Sequence, residues 1–191
     1  MNIDQVLDVA KGRTIILDEH HEDRKCLNIA LKLIRAAHRV GYRHHGVELP
    51  RESRFRHRGF VEMAALVRRV GDGNIRERER SGELRENKFW HIQQALALKW
   101  EVSALDPYHY DYLKEKYFLR RDPAIYRNIL ENGKMIAIVG SAHLMGIYDR
   151  LGDEAYYVSS LPITEEIRKE YSYTPAWRKR MRFAQTVPII I

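Results

Sequence analysis

One cysteine, Cys26, is the only thiol in 191 residues, which excludes an intrachain disulfide and any cysteine-rich zinc module. A bound metal would have to be held by His, Asp and Glu. No apolar run approaches the ~18–20 residues that a bilayer span requires, and the opening Met1-Asn2-Ile3-Asp4 lacks the basic-then-apolar plan of a signal peptide. A cytoplasmic protein without a transmembrane segment is expected. RNP-like, KH and zinc-finger patterns are missing too. The formal charge of +7 therefore does not point to nucleic acid, and a nucleic-acid partner is not expected. The basic residues are densest at Arg51–Arg58, Arg68–Arg80 and Arg178–Arg182. Runs such as Glu77-Arg78-Glu79-Arg80 read as paired charges on a solvated face. A GxSxG nucleophile elbow is also absent, which disfavours a covalent serine route.

Apolar material is plentiful. With 45% hydrophobic and 10% aromatic residues the chain can bury a sizeable core, and its length suits one domain over residues 1–191. Thr14-Ile15-Ile16-Leu17 reads as a buried strand. Leu27, Ala30, Leu31, Ile34 and Ala37, spaced by three and four, read as an amphipathic helix from Glu22 to about Val40, stopped by Gly41. A strand follows from Arg43 to Leu49, ended by Pro50. Helical spacing returns over Phe60–Val70, and Gly71-Asp72-Gly73-Asn74 opens a charged stretch, 71–86, read as a mobile loop or lid. A helix over Asn87–Lys99 and a strand over Trp100–Leu105 come next. Two helical pieces, Tyr108–Phe118 and Pro123–Glu131, precede the clearest buried strand, Met135–Val139. A helix over His143–Leu151, a strand near Ala155–Leu161, a helix near Thr164–Tyr171 and a basic tail over 174–191 complete the chain. Such alternation predicts an α/β fold, with a largely parallel central sheet flanked by helices on both faces.

Parallel sheets bind ligands beyond the carboxyl ends of their strands, and four strand ends here carry ionisable groups. The first runs into Asp18-Glu19-His20-His21, the second ends at Glu48, the third at Asp106, and the fourth continues Gly140-Ser141-Ala142-His143. Thr14–Leu17 and Ile136–Val139 are each followed, after three residues, by a histidine opening a helix. This is a weak internal repeat, which would bring His21 and His143 together at a solvent-reachable sheet end with Glu19 and Glu48 nearby. Plainer readings compete. Asp18 and Asp106 serve equally well as caps of the following helices. His44-His45 lies along a strand, so one of the pair faces each side and at least one is structural. His38, His57 and His91 read as surface or satisfied core residues, and Cys26 as a small packing residue.

The run Val139-Gly140-Ser141-Ala142-His143-Leu144-Met145-Gly146-Ile147 resembles the second GxxH motif of the TraB/Tiki superfamily, which includes erythromycin-esterase-like and ChaN-like proteins. Arg121-Asp122, the helix to Glu131 and Gly133-Lys134 are similar to that family's approach to the motif. Leu17-Asp18-Glu19-His20-His21 resembles its first motif, with Asp18 where the family has glycine, and Glu48 matches its strand-end glutamate. The resemblance spans about Thr14 to Leu161. It implies a hydrolase of a peptide, ester or lactone bond acting through activated water, with Glu19, His21, Glu48 and His143 as the catalytic set.

Two versions of that chemistry follow. In a metal version His21, His143 and Glu19 hold Mn²⁺, Co²⁺ or Zn²⁺ and Glu48 takes a proton from the bound water. In a metal-free version His21 is the general base, Glu48 or Glu19 orients it, and His143 stabilises the oxyanion. Arg51, Arg54, Asp106 and Arg121 are the candidate contacts to a small-molecule or peptide substrate. The alternatives are a non-catalytic pocket for haem or another anionic ligand, using Tyr108, Tyr110 or Tyr112 and the arginines of Arg51–Arg58, and a toxin-like or regulatory interaction protein.

Overall fold

A computed structural model describes residues 1–19, 24–50, 90–106, 116–160 and 174–191, together with Pro162, Thr164 and Glu165. Among the described residues six helices and five strands alternate. They are α1 (Ile3–Ala10), β1 (Thr14–Glu19), α2 (Arg24–Arg39), β2 (His44–Pro50), α3 (Trp90–Ala97), β3 (Glu101–Asp106), α4 (Lys116–Asn132), β4 (Ile136–Gly140), α5 (Ser141–Leu151), β5 (Ala155–Ser159) and α6 (Pro175–Ala184). The strands form one sheet in the order β3-β2-β4-β1-β5, and every pairing in it is parallel. This is the predicted α/β class.

The alternation of strand side chains divides the core in two. Ile15 and Leu17 of β1, with Ile136 and Ile138 of β4, pack under α1, α2 and α3. Their neighbours Ile16, Ala137 and Val139 face the other way, against α4, α5 and α6. With both faces covered, β4 carries buried apolar residues without alternation, which is why it was the clearest strand in the sequence. The crossovers obey one rule. From β1 to β2 and from β2 to β3 the chain moves one way along the sheet through α2 and α3. From β3 to β4 and from β4 to β5 it moves back through α4 and α5 on the opposite face, as a uniform crossover hand requires. The chain thus leaves the carboxyl ends of the neighbouring strands β1 and β4 toward opposite faces. Polar groups gather at this edge.

Several expectations change. The matched runs of β1 and β4 are neighbours, with Leu17 opposite Ile138, but the helices that follow them lie on opposite faces, and the internal repeat is not established. Residues 116–118 of the piece expected over Tyr108–Phe118 and the whole piece Pro123–Glu131 lie in one helix, α4, with Pro123 inside it, where it removes one ladder N–H; residues 108–115 lie outside the described residues. The 174–191 segment is more than a basic tail: α6 begins at Pro175 with the Thr174 hydroxyl accepting the Trp177 N–H. Residues 188–190 then hydrogen-bond to Ser159 at the end of β5. Helix α1 had not been anticipated. Its signal is the reciprocal pair Asn2 and Gln5, each side chain accepting the other's backbone N–H at 2.9 Å, a capping box. As expected, Gly41 follows the end of α2, in the turn after Arg39, and its φ of 90° suits glycine. The helix expected over Phe60–Val70 and the 71–86 loop lie outside the described residues, as does all but the first two residues of the helix near Thr164–Tyr171.

Candidate functional site

Glu48, next to the last two residues of β2, turns its carboxylate toward the junction of β4 and α5. Its Oε2 accepts the main-chain N–H of Gly140 at 2.6 Å. Its Oε1 accepts from the Arg121 guanidinium on α4 and lies 3.2 Å from His143 Nε2. The opposite ring nitrogen of His143, Nδ1, is 2.6 Å from Asp122 Oδ1. Asp122 Oδ2 in turn accepts from Arg180 Nη2 at 2.7 Å, and Arg180 Nη1 donates to the Ala142 carbonyl at 2.7 Å. A chain of charged groups therefore runs from β2 through α5 and α4 to α6. It is buried: the side chains of His143, Asp122 and Glu48 are 3%, 1% and 8% exposed. His143 had been expected at a solvent-reachable end of the sheet. It is instead enclosed between the two carboxylates, because α4 and α6 close over α5.

With a carboxylate at each ring nitrogen, His143 donates from both and carries a proton on each. Burial alone would push its pKa down. The Glu48 charge and the hydrogen bonds to Asp122 and Glu48 outweigh burial, against some opposition from Arg121, and raise it from 6.5 to about 9. With the site in this arrangement, the side chain is a cationic donor at neutral pH.

The glycine-rich run explains this geometry residue by residue. Gly140 supplies the N–H that holds Glu48. Ser141, the first residue of α5, donates its hydroxyl to Asp18 Oδ2 at 2.8 Å. His143 then lies one residue beyond Ala142, whose carbonyl receives Arg180. Gly146 makes room for Asp122: a Cβ at that position would sit 1.8 Å from Asp122 Oδ2. Asp18 lies one residue before the end of β1. It is 1% exposed, accepts the Ser160 N–H at 3.1 Å and receives the Ser160 hydroxyl at its main-chain carbonyl at 2.7 Å, so it ties β1 to α5 and to the end of β5.

Of the predicted site residues, Glu48, His143 and Arg121 are brought together. Glu19 ends β1 with its Cα opposite Gly140, and Asp106 ends β3 opposite Pro50, so both lie at this edge, although their side chains are outside the described set. His21, Arg51 and Arg54 also lie outside it, as do Tyr108, Tyr110 and Tyr112. Among the described residues no group of three or more His, Cys, Asp or Glu could hold a metal ion. Both ring nitrogens of His143, the ligand atoms of the metal version, face carboxylates, Asp122 at Nδ1 and Glu48 at Nε2. Asp122, Arg180 and Gly146 were assigned no role from sequence. Asp122 was visible only as part of Arg121-Asp122, and Arg180 only as one of several clustered arginines.

The other described histidines are structural. His45 Nδ1 donates to the Ile136 carbonyl at 2.9 Å, which leaves its Nε2 to accept from His91 Nδ1 at 2.8 Å. Burial, with His91 beside it, holds His45 well below the ordinary 6.5. His44 faces the other side of the sheet, 2.8 Å from the Ser103 hydroxyl, as the alternation of a strand requires. His38 Nδ1 accepts the Trp100 indole N–H at 2.8 Å. Cys26 is buried near the start of α2. Among the described residues, no helix is long and apolar enough to cross a membrane. No protein-family model, curated protein or solved structure matches this chain.

Proposed function

We propose that this protein is a hydrolase of the TraB/Tiki type, cleaving a peptide, ester or lactone bond with water activated beside Glu48 and His143. The observation that carries the reading is the buried Asp122–His143–Glu48 chain at the carboxyl edge of the sheet. Asp122 fixes the imidazole, both ring nitrogens hold protons, and Nε2–H is aimed at a second carboxylate. A glutamate able to take a proton, set against a cationic donor and a guanidinium, is the pairing that water attack on a carbonyl needs. The proposal joins the two versions: His143 keeps the oxyanion role of the metal-free one, Glu48 takes the water's proton as in the metal one, and no step passes through a metal. His21, the general base of the metal-free version, lies outside the described residues.

The test is a screen of ester, lactone and peptide substrates against purified wild type, Glu48→Gln and His143→Gln, with and without a chelator. Turnover by wild type that survives chelation and falls sharply in both variants supports the proposal. Activity retained by both variants, relative to their folded fractions, refutes it. A Soret band in freshly purified protein would replace it with the haem-binding alternative.

A further inference from the structure

We infer that Arg121, His143 and the Gly140 main-chain N–H form an oxyanion cradle, filled at rest by the protein's own Glu48 carboxylate. During turnover it passes to the oxyanion that develops on the substrate's acyl group. The cradle stands on geometry alone, and only its use in turnover rests on the hydrolase reading above.

The donors come from α4, α5 and the end of β4, whereas their occupant comes from β2. At least two are placed without help from the occupant. His143 is fixed through Asp122 and Arg180, and the Gly140 N–H is set by the junction between strand and helix. Removing the Glu48 carboxylate should therefore leave a formed site. Oxyanion sites in acyl transfer consist of a few fixed donors aimed at one oxygen in a place from which water is excluded. Here Arg121 and His143 share the single oxygen Oε1, and Gly140 holds its partner Oε2 at 2.6 Å.

The reaction balances around that shared set. As the water oxygen bonds to the carbonyl carbon, the carbonyl π pair moves onto its oxygen and the water's proton passes to Glu48. Negative charge thereby leaves Glu48 and appears on the substrate; the neutral carboxyl gives up its place, and the fixed donors then face the oxyanion. Collapse of the tetrahedral intermediate re-forms the carbonyl and breaks the bond to the leaving group. The leaving group takes the proton back from Glu48, whose carboxylate then refills the cradle.

The probe is sodium formate, a carboxylate small enough to replace the deleted group, with sodium chloride at equal ionic strength as control. Full-length Glu48→Ala is titrated with each while thermal unfolding and the ¹³C signal of labelled formate are followed. The expected result is saturable stabilisation of Glu48→Ala by formate but not by chloride, none in wild type, and binding weaker by at least about tenfold in Glu48→Ala/Arg121→Met, as loss of one charge-assisted hydrogen bond implies. If Glu48→Ala does not fold unaided, refolding recovered in formate and not in chloride supports the cradle. Formate that does no more than chloride, in binding and in refolding, overturns it. Formate uptake by a variant of a protein that hydrolyses nothing in the screen would uphold the cradle and overturn its role in turnover, so the two failures are separate.

Discussion

Replacing Gly146 by alanine tests the placement of the site most directly, because general helix energetics and this structure predict opposite signs. In an ordinary helix interior the change would stabilise by about 1 kcal/mol. Here the new Cβ would stand 1.8 Å from Asp122 Oδ2, 2.4 Å from its Cγ and 2.9 Å from its Cβ. Contact cannot be relieved without moving the carboxylate by more than about 1 Å, which breaks its bonds of 2.6 Å to His143 and 2.7 Å to Arg180. Overpacking of a tight interior costs about 1–3 kcal/mol. Separating a buried carboxylate from its cationic partners costs about 3–5 kcal/mol when the break is complete. Partial relaxation and the helix-propensity gain reduce the total, and a net loss of about 2–4 kcal/mol is expected from urea denaturation. Asp122→Ala removes the two nearest of the three clashing atoms. Adding Gly146→Ala to Asp122→Ala should therefore cost much less than adding it to wild type, the non-additivity expected of residues in contact. A Gly146→Ala protein as stable as wild type, or additive losses in the double variant, would refute the packing of α4 against α5 on which the site depends.

Other outcomes follow from the same network. His143 is raised to about 9 from 6.5 in the folded state, so the stability it contributes is complete below pH 6.5 and lost as pH rises through 9. Denaturation series should show a loss on the order of 3 kcal/mol across that window, and His143→Gln should flatten it. His45, buried and held well below 6.5, acts in the opposite sense: its contribution is present above pH 6.5 and fades as pH falls, by up to ~1.4 kcal/mol per pH unit. His45→Gln should shrink that acid limb, leaving the part due to His44, whose burial also lowers its pKa. Glu48→Gln should cut turnover per folded molecule by ~10²–10⁴-fold while substrate binding persists. Arg180→Met, which removes the hydrogen bonds from α6 to Asp122 and to the Ala142 carbonyl, should lower stability by about 1.5–3 kcal/mol.

Sequence alone determined what depends on local period and chain stiffness. The unbroken apolar run ending at Val139 marked β4, the three-and-four spacing from Leu27 to Ala37 marked α2, and their alternation fixed an α/β sheet. Motif spacing also put Glu48 and His143 at strand ends, where parallel sheets gather ligands, and the structure brings those two within 3.2 Å. Local signals were present for α1 in the pair Asn2 and Gln5 and for α6 in Thr174-Pro175, but each spans only a few residues. What the tertiary structure decided was partnership. Nothing near His143 in the chain indicates that Asp122 would reach one ring nitrogen and Glu48 the other, since these contacts bridge 21 and 95 positions and depend on the strand order β3-β2-β4-β1-β5. The same holds for Arg180, one basic residue among several until α6 packs on α5, and for Gly146, which reads as a weak spot in a helix until the Asp122 carboxylate occupies the space a Cβ would fill. Periodicity reports which side of an element is buried. Which charge meets which other charge is set by how the elements are stacked, and here that stacking makes His143 a doubly protonated donor.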